Sequence, residues 1–130
     1  MHIVTSAVIL RDRKVLLAKR GPGGALGGKW EFPGGKLEVD ENPEDGLKRE
    51  LMEELAMEVR VEKLIGTTEF SNGPKRYSLR TYLVTPLTRT PIAHEHDEIR
   101  WVPIDELERY DLADSDRSML PRIMSTLREA

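Results

Sequence analysis

Arg49-Glu50-Leu51-Met52-Glu53-Glu54 places one arginine and three carboxylates in six residues. At ~100° per residue on a helix, Glu53, Glu50 and Glu54 span an arc of about 100°, next to an arc of about 80° holding Leu47, Leu51 and Leu55. The carboxylates therefore flank the apolar stripe and do not point away from it. A charged surface helix pairs Glu with Lys at i, i+4. Here Glu50 meets Glu54, Glu54 meets Glu58 and Glu53 meets Met57. Like charges at that spacing cost a few tenths of a kcal/mol per pair, a cost that a bound cation would remove; on the helix alone, a metal site and a solvated charged face both stay open. An all-oxygen donor set without thiolate favours a hard divalent ion, Mg²⁺ or Mn²⁺. Magnesium commonly keeps waters and takes its remaining ligands from substrate phosphates.

The elements that must position these groups are readable along the chain. Ile3–Leu10 is a β-branched apolar run, RDRK turns it, and Val15–Ala18 returns as a hairpin. GPGGALGG (21–28) is a glycine loop, and KWEFPGG is a short strand ending in a Pro-Gly-Gly bend. A helix follows, with Asn42 as N-cap, Pro43 in the first position and Glu44 and Asp45 in the first turn. Gly46 inside it costs ~1 kcal/mol relative to Ala and so predicts close packing. Val59–Thr68 and Tyr77–Val84 read as strands around an Asn72-Gly73-Pro74 turn. TPLTRTPIAHEHDE is loop, IRWV a buried strand containing core Trp101 and Val102, and IDEL one helical turn. Residues 117–128 form a last helix with Pro121 in its first turn or kinking it. The expected fold class is α+β, with a sheet between helices, in one domain over residues 1–130.

The chain has 130 residues, 33% charged, with a net charge of −3 and no cysteine. Disulfides, thiolate zinc and a cysteine nucleophile are excluded, and no global positive field recruits polymeric nucleic acid or an anionic membrane. No apolar run reaches the ~18–20 residues of a membrane span. The opening MHIVTSAVILRDRK reads as a strand, not a signal peptide, and the expected location is cytoplasmic.

Gly35, Glu41 and Arg49–Glu54 stand in the order G-x5-E-x7-R-E-U-x-E-E, U being aliphatic. This stretch resembles the Nudix box of the Nudix hydrolases. Ala56 stands where that pattern has a helix-ending glycine. KWEFPGGK, EHDEIRWV and LADSD extend the resemblance to the small MutT-type branch, which hydrolyses nucleoside triphosphates to the monophosphate and pyrophosphate in an α/β/α sandwich around a mixed sheet.

The resemblance implies that Glu50, Glu53, Glu54 and the Gly35 carbonyl hold Mg²⁺ or Mn²⁺. It implies that Arg49 orients a box carboxylate, and that Glu41 ties the loop to the helix. Glu95 would be a further metal ligand or the general base, with His94 and His96 as ordinary polar loop residues. Arg20 and Lys36 would meet phosphate, whereas Lys14, Lys19, Lys75 and Arg76 are read as surface. Phe32 would line the base pocket, and Trp30 lines it or belongs to the core. Asp116 would read the base edge, cap the last helix, or both. An ionised carboxylate only accepts hydrogen bonds, so it suits an exocyclic amino group, as on cytosine or adenine; an oxidised or methylated base is the other expectation. The partner is a small nucleotide, the role nucleotide-pool sanitation or housekeeping, and the protein a monomer or homodimer. Two other readings are carried: a pyrophosphatase for ADP-ribose or another nucleoside diphosphate sugar, with Pro74 as a faint sign, and a non-catalytic nucleotide sensor.

Overall fold

Alternation along β1 (His2–Arg11) organises both faces of the molecule. Ala7 and Ile9 point into one apolar cluster, and Val8, with Val4 and Leu10 packed beside it, into the other. Successive side chains leave a strand on opposite faces, so a strand apolar at both parities must be covered on both sides. The computed structural model describes residues 1–24 and 26–129. Ala25 of the expected glycine loop lies outside them; the rest of that loop forms turns and bends without strand or helix.

The remaining elements are β2 (Lys14–Lys19), β3 (Trp30–Glu31), β4 (Gly34–Lys36), α1 (Pro43–Leu55), β5 (Val59–Asn72), β6 (Lys75–Pro86), β7 (Glu98–Pro103), a 3₁₀ segment (Ile104–Arg109) and α2 (Asp114–Glu129). The sheet order is β3-β2-β1-β6-β5, with β4 joined to β1 and β7 to β2. β1 runs parallel to β6 and antiparallel to β2 and β4, so the sheet is mixed. Asp12 and Arg13 both take positive φ, +50° and +63°, as the two-residue turn of a tight hairpin requires. α1 covers the cluster of Ala7, Ile9 and Leu16. α2 covers that of Val8, Val15 and Leu17. The α/β/α sandwich is as expected.

α1 follows its sequence signals closely. The Asn42 side chain accepts from the N–H groups of Glu44 and Asp45, and Leu47, Leu51 and Leu55 are fully buried. A 13-residue helix is marginal alone. Burial of three leucines, at ~1.5–3 kcal/mol each, supplies what local propensity does not. The space at Gly46 is filled: a Cβ there would lie 2.3 Å from Leu37 Cδ2 and 2.8 Å from Glu41 Oε1.

Other elements depart from their sequence signals. β5 and β6 continue well past Thr68 and before Tyr77, as an exposed ribbon whose ladder outlasts its apolar alternation. In β7 only Val102 is buried; Trp101 is half-buried, with the Arg11 guanidinium 5.0 Å from its ring centroid. α2 begins at Asp114, so Pro121 lies inside the helix and not in its first turn. Ring φ suits a helix, and the cost is the missing donor to the Arg117 carbonyl.

α1 ends in a left-handed turn of the kind glycine commonly takes, but with an alanine. Ala56 adopts φ 53°, ψ 37°, donating to Met52 O, while Met57 N–H reaches Leu51 O at 3.3 Å. That left-handed conformation costs a residue with Cβ roughly 1–2 kcal/mol, partly offset by glycine's larger unfolded-state entropy. Ala56→Gly is therefore expected to stabilise the protein by about 0.5–1 kcal/mol, read as a higher urea midpoint at unchanged slope. A lower midpoint contradicts it.

Candidate active site

The bend at 33–36 and the middle of α1 meet at van der Waals contact. A Cβ on Gly35 would sit 2.4 Å from the Glu50 carboxyl carbon, and one on Gly34 would sit 2.0 Å from the Thr5 carbonyl. A side chain at 34 would strike the β1 backbone, and one at 35 would displace the Glu50 carboxylate. The Gly35 carbonyl accepts a bond from Thr5 Oγ1 at 3.2 Å, and Gly35 lies opposite Thr5 in the β1–β4 ladder.

Arg49 organises the carboxylates. Its Nε and Nη2 bond Glu41 at 2.7 and 2.9 Å, its Nη1 bonds Glu50 and Glu53 at 3.2 and 3.1 Å, and Nη2 also reaches the Lys36 carbonyl. These bonds hold Glu41 down at about 2. Its Oε1 also accepts from the Glu38 N–H, which bears out Glu41 as a tie between loop and helix. Glu53 is half-exposed and faces Arg49.

Glu50 and Glu54 line a cavity of about 500 Å³. Burial pushes Glu54 up to about 8, helped by the charges of Glu50, Glu31 and Glu95, and burial also raises Glu50. Glu54 Oε2 is buried without a hydrogen-bond partner. Among the described residues, no three His, Asp or Glu groups are drawn into a finished metal cage. The donors nevertheless fit a hard divalent ion: all are oxygen, one buried oxygen is unpartnered, and the Gly35 contact keeps the wall beside Glu50 free of side chain.

Arg20, Phe32 and Lys36 also line this cavity, as the sequence suggests. Lys36 lies on β4, its Nζ 5.4 Å from the Tyr77 ring centroid. Glu95 is exposed on the loop after β6 and lies near enough to raise Glu54 and Glu50 by its charge. Trp30 is core, set edge-on to Tyr110. Pro74 borders a separate outer hollow with Met1, His2, Lys75 and Arg76, not the main cavity.

Three features are missing from the sequence reading. Glu31 lines the cavity and binds Arg20 Nη1 at 3.0 Å and His96 Nε2 at 2.9 Å. His96 is therefore not an ordinary loop residue: its side chain is 6% exposed. Phe70 and Tyr77, stacked 5.0 Å apart at 13°, form an aromatic wall of the cavity with Phe32. The acidic WE pair and the KRY strand start hinted at these residues, but their convergence requires the fold.

Asp116 is the third residue of α2, not its cap. It is 5% exposed, and its Oδ2 accepts from Phe32 N–H at 3.3 Å. Burial, then the charge of Glu31, pushes it up to about 8. Burial thus favours its protonated form, which can donate as well as accept, whereas the ionised form only accepts.

The chain matches the family model described as NUDIX domain over residues 1–123. It is 36% identical over 122 residues to the CTP pyrophosphohydrolase of Escherichia coli (strain K12), covering 94% of this chain and 90% of that protein. It is 38% identical over 85 residues to the 8-oxo-dGTP diphosphatase of Proteus vulgaris, covering 65% of this chain and 76% of that one. The solution structure of the E. coli ORF135 protein is similar with a TM-score of 0.88 at 36% identity, over 96% of this chain and 89% of that one.

The buried Asp116 makes stability depend on pH. In the unfolded chain it loses its proton near pH 4; folded, it keeps it to about 8. The folded state binds more protons in that window, so its stability is full below about pH 4 and falls as pH rises through about 8. Metal-free protein is expected to lose urea midpoint between pH 5 and 8.5, and Asp116→Asn to flatten much of that slope. Glu54 adds a contribution of the same sign. Parallel slopes for the two proteins would contradict the assignment.

Proposed function

The chain belongs to the NUDIX domain family, among MutT-type hydrolases acting on phosphoanhydride bonds, and from that premise we propose that it hydrolyses a nucleoside triphosphate to the monophosphate and pyrophosphate. The observation that carries the reading is one cavity lined by carboxylates, Glu50 and Glu54, by cations, Arg20 and Lys36, and by aromatic rings, Phe32, Phe70 and Tyr77. A mononucleotide presents the matching chemistries: a cation-binding polyphosphate and a flat base. A cavity of about 500 Å³ suits one nucleotide, not a polymer.

Glu50 and Glu54, with Glu53 and the Gly35 carbonyl beside them, would hold magnesium or manganese. Bound there, the ion supplies neutralisation of phosphate charge and acidification of water. The chain's own residues do the rest. Arg20 and Lys36 bind phosphate oxygens. Arg49 fixes Glu50 in place. Glu95 accepts the proton of the attacking water from the open side of the cavity. Phe32 and the Phe70–Tyr77 pair hold the base, and Asp116 meets its edge. A carboxyl that titrates near 8 serves as donor or acceptor, which supports either a cytosine or an oxidised purine base.

A panel of CTP, dCTP, dGTP, 8-oxo-dGTP and ADP-ribose with Mg²⁺ or Mn²⁺, read by ³¹P NMR, tests this. Monophosphate and pyrophosphate are expected; release of orthophosphate, or turnover of ADP-ribose alone, contradicts it. Glu54→Gln is expected to lower kcat at least about 100-fold, whereas a sensor would show no turnover to lose. Asp116→Asn is expected to change the ratio of kcat/KM between CTP and 8-oxo-dGTP. An unchanged ratio removes Asp116 from base reading.

A further inference from the structure

The loop of residues 91–97 is fastened to three elements at once. Ile92 N–H and His94 N–H donate to the Leu55 and Glu54 carbonyls at 2.8 and 3.0 Å, and His94 Nδ1 lies 3.1 Å from the Glu53 carbonyl. These are last-turn carbonyls of α1, which has no basic side chain in that turn to meet them. At its other end Asp97 N–H donates to the Lys19 carbonyl at 3.0 Å, at the end of β2. Between the two anchors His96 turns inward to Glu31 on β3, at 2.9 Å. Glu95, by contrast, has no bond to strand or backbone among the described hydrogen bonds; its carboxyl lies against that of Glu54, which it raises by charge and by side-chain hydrogen bond, and its charge also raises Glu50. The backbone that carries it there is held by its neighbours.

We propose that His96 is a positioning residue: anchored on Glu31, it holds Glu95 against the Glu50–Glu54 wall during hydrolysis. The inference rests on the triphosphate reading of the site and on Glu95 as proton acceptor. Burial of an imidazole with one nitrogen on a carboxylate and the other, Nδ1, without a partner is costly for a mere loop filler. The same Glu31 carboxylate uses its other oxygen to hold Arg20 at 3.0 Å. One acidic side chain thus sets the spacing between a phosphate-facing cation and the loop that carries Glu95. Because Ile92 and His94 tie the end of α1 without His96, removal of His96 leaves the helix end tied and frees only the Glu95 side of the loop.

The test is a double-mutant cycle in full-length protein, with Mg²⁺ and the triphosphate that wild type turns over fastest. His96→Ala is expected to lower kcat about 10- to 100-fold, with KM changed less than about 3-fold. In a Glu95→Gln background the same substitution is expected to cost less than about 2-fold, because its effect passes through Glu95. His96→Gln, whose amide nitrogen reaches the place of Nε2, is expected to recover most of kcat; His96→Asn, which is too short, is not. This pair decides the matter even if His96→Ala folds poorly. Equal costs in both backgrounds, equal losses for Gln and Asn, or a Glu95→Gln variant as active as wild type would each overturn the proposal. A wild-type protein without metal-dependent triphosphate turnover would overturn the underlying reading instead.

Discussion

Five N–H donors on the Arg49 guanidinium hold the acidic edge of this protein together. Two go to Glu41, others to Glu50, Glu53 and the Lys36 carbonyl, so a single fixed cation ties α1 to its preceding loop and to β4. The planar fork is needed: lysine has three donors on a point charge and cannot span a bidentate carboxylate plus two further partners. Glu50 has one oxygen committed to Arg49 while its carboxylate lies directly over Gly35. That contact aims Glu50 into the cavity. Without the cation, Glu41, Glu50 and Glu53 would repel one another across a helix and loop that have no other positive side chain bonded to them among the described residues.

Carboxyl groups around this helix and cavity have opposite fates. Glu41 is held down at about 2, because Arg49 and a backbone N–H bond its charged form. Glu54 and Asp116 rise to about 8, because burial removes water and their nearest charges are negative. The first is an ionised strut, and the other two are cavity-lining carboxyls whose burial favours the protonated form. Glu31 lies between them, raising both by its charge while it is itself bonded to Arg20 and His96. The two-sided sheet makes this possible. α1 delivers Glu54 from one layer and α2 delivers Asp116 from the other, across the edge formed by β3 and β4.

What the sequence discloses is what local chemistry decides. Asn42, Pro43 and the leucine spacing define α1 within a few residues of each other, and the box spacing identifies which carboxylates share a face. The hairpin turn, both helices and the α/β/α layering are legible for the same reason. Glu31 and His96 are not, since their partnership spans 65 residues and neither sits in a periodic pattern. Phe70 and Tyr77 look like ordinary strand aromatics until the β5–β6 ribbon folds them over the cavity. Asp116 is legible as a candidate site residue but not as a buried carboxyl with a raised pKa, because desolvation is a property of the packed layers. Ala56 marks the converse: a helix end specified strongly enough by its neighbours that alanine accepts a glycine's conformation.

The charge balance of the cavity explains why a cation belongs in the chemistry on grounds independent of kinship. Glu31, Glu50, Glu54 and Asp116 face Arg20 and Lys36 across its walls, and Arg20 is already shared with Glu31. A triphosphate carries several negative charges of its own. Brought in unaccompanied, it would place them beside carboxylates in a partly desolvated volume, where each unscreened repulsion is worth several times its value in water. Protons on Glu54 and Asp116 relieve the wall but do nothing for the phosphates. A divalent ion held by Glu50 and Glu54, as proposed, would relieve both at once. On that reading the acidic wall that repels a bare polyphosphate would favour a metal-bound one.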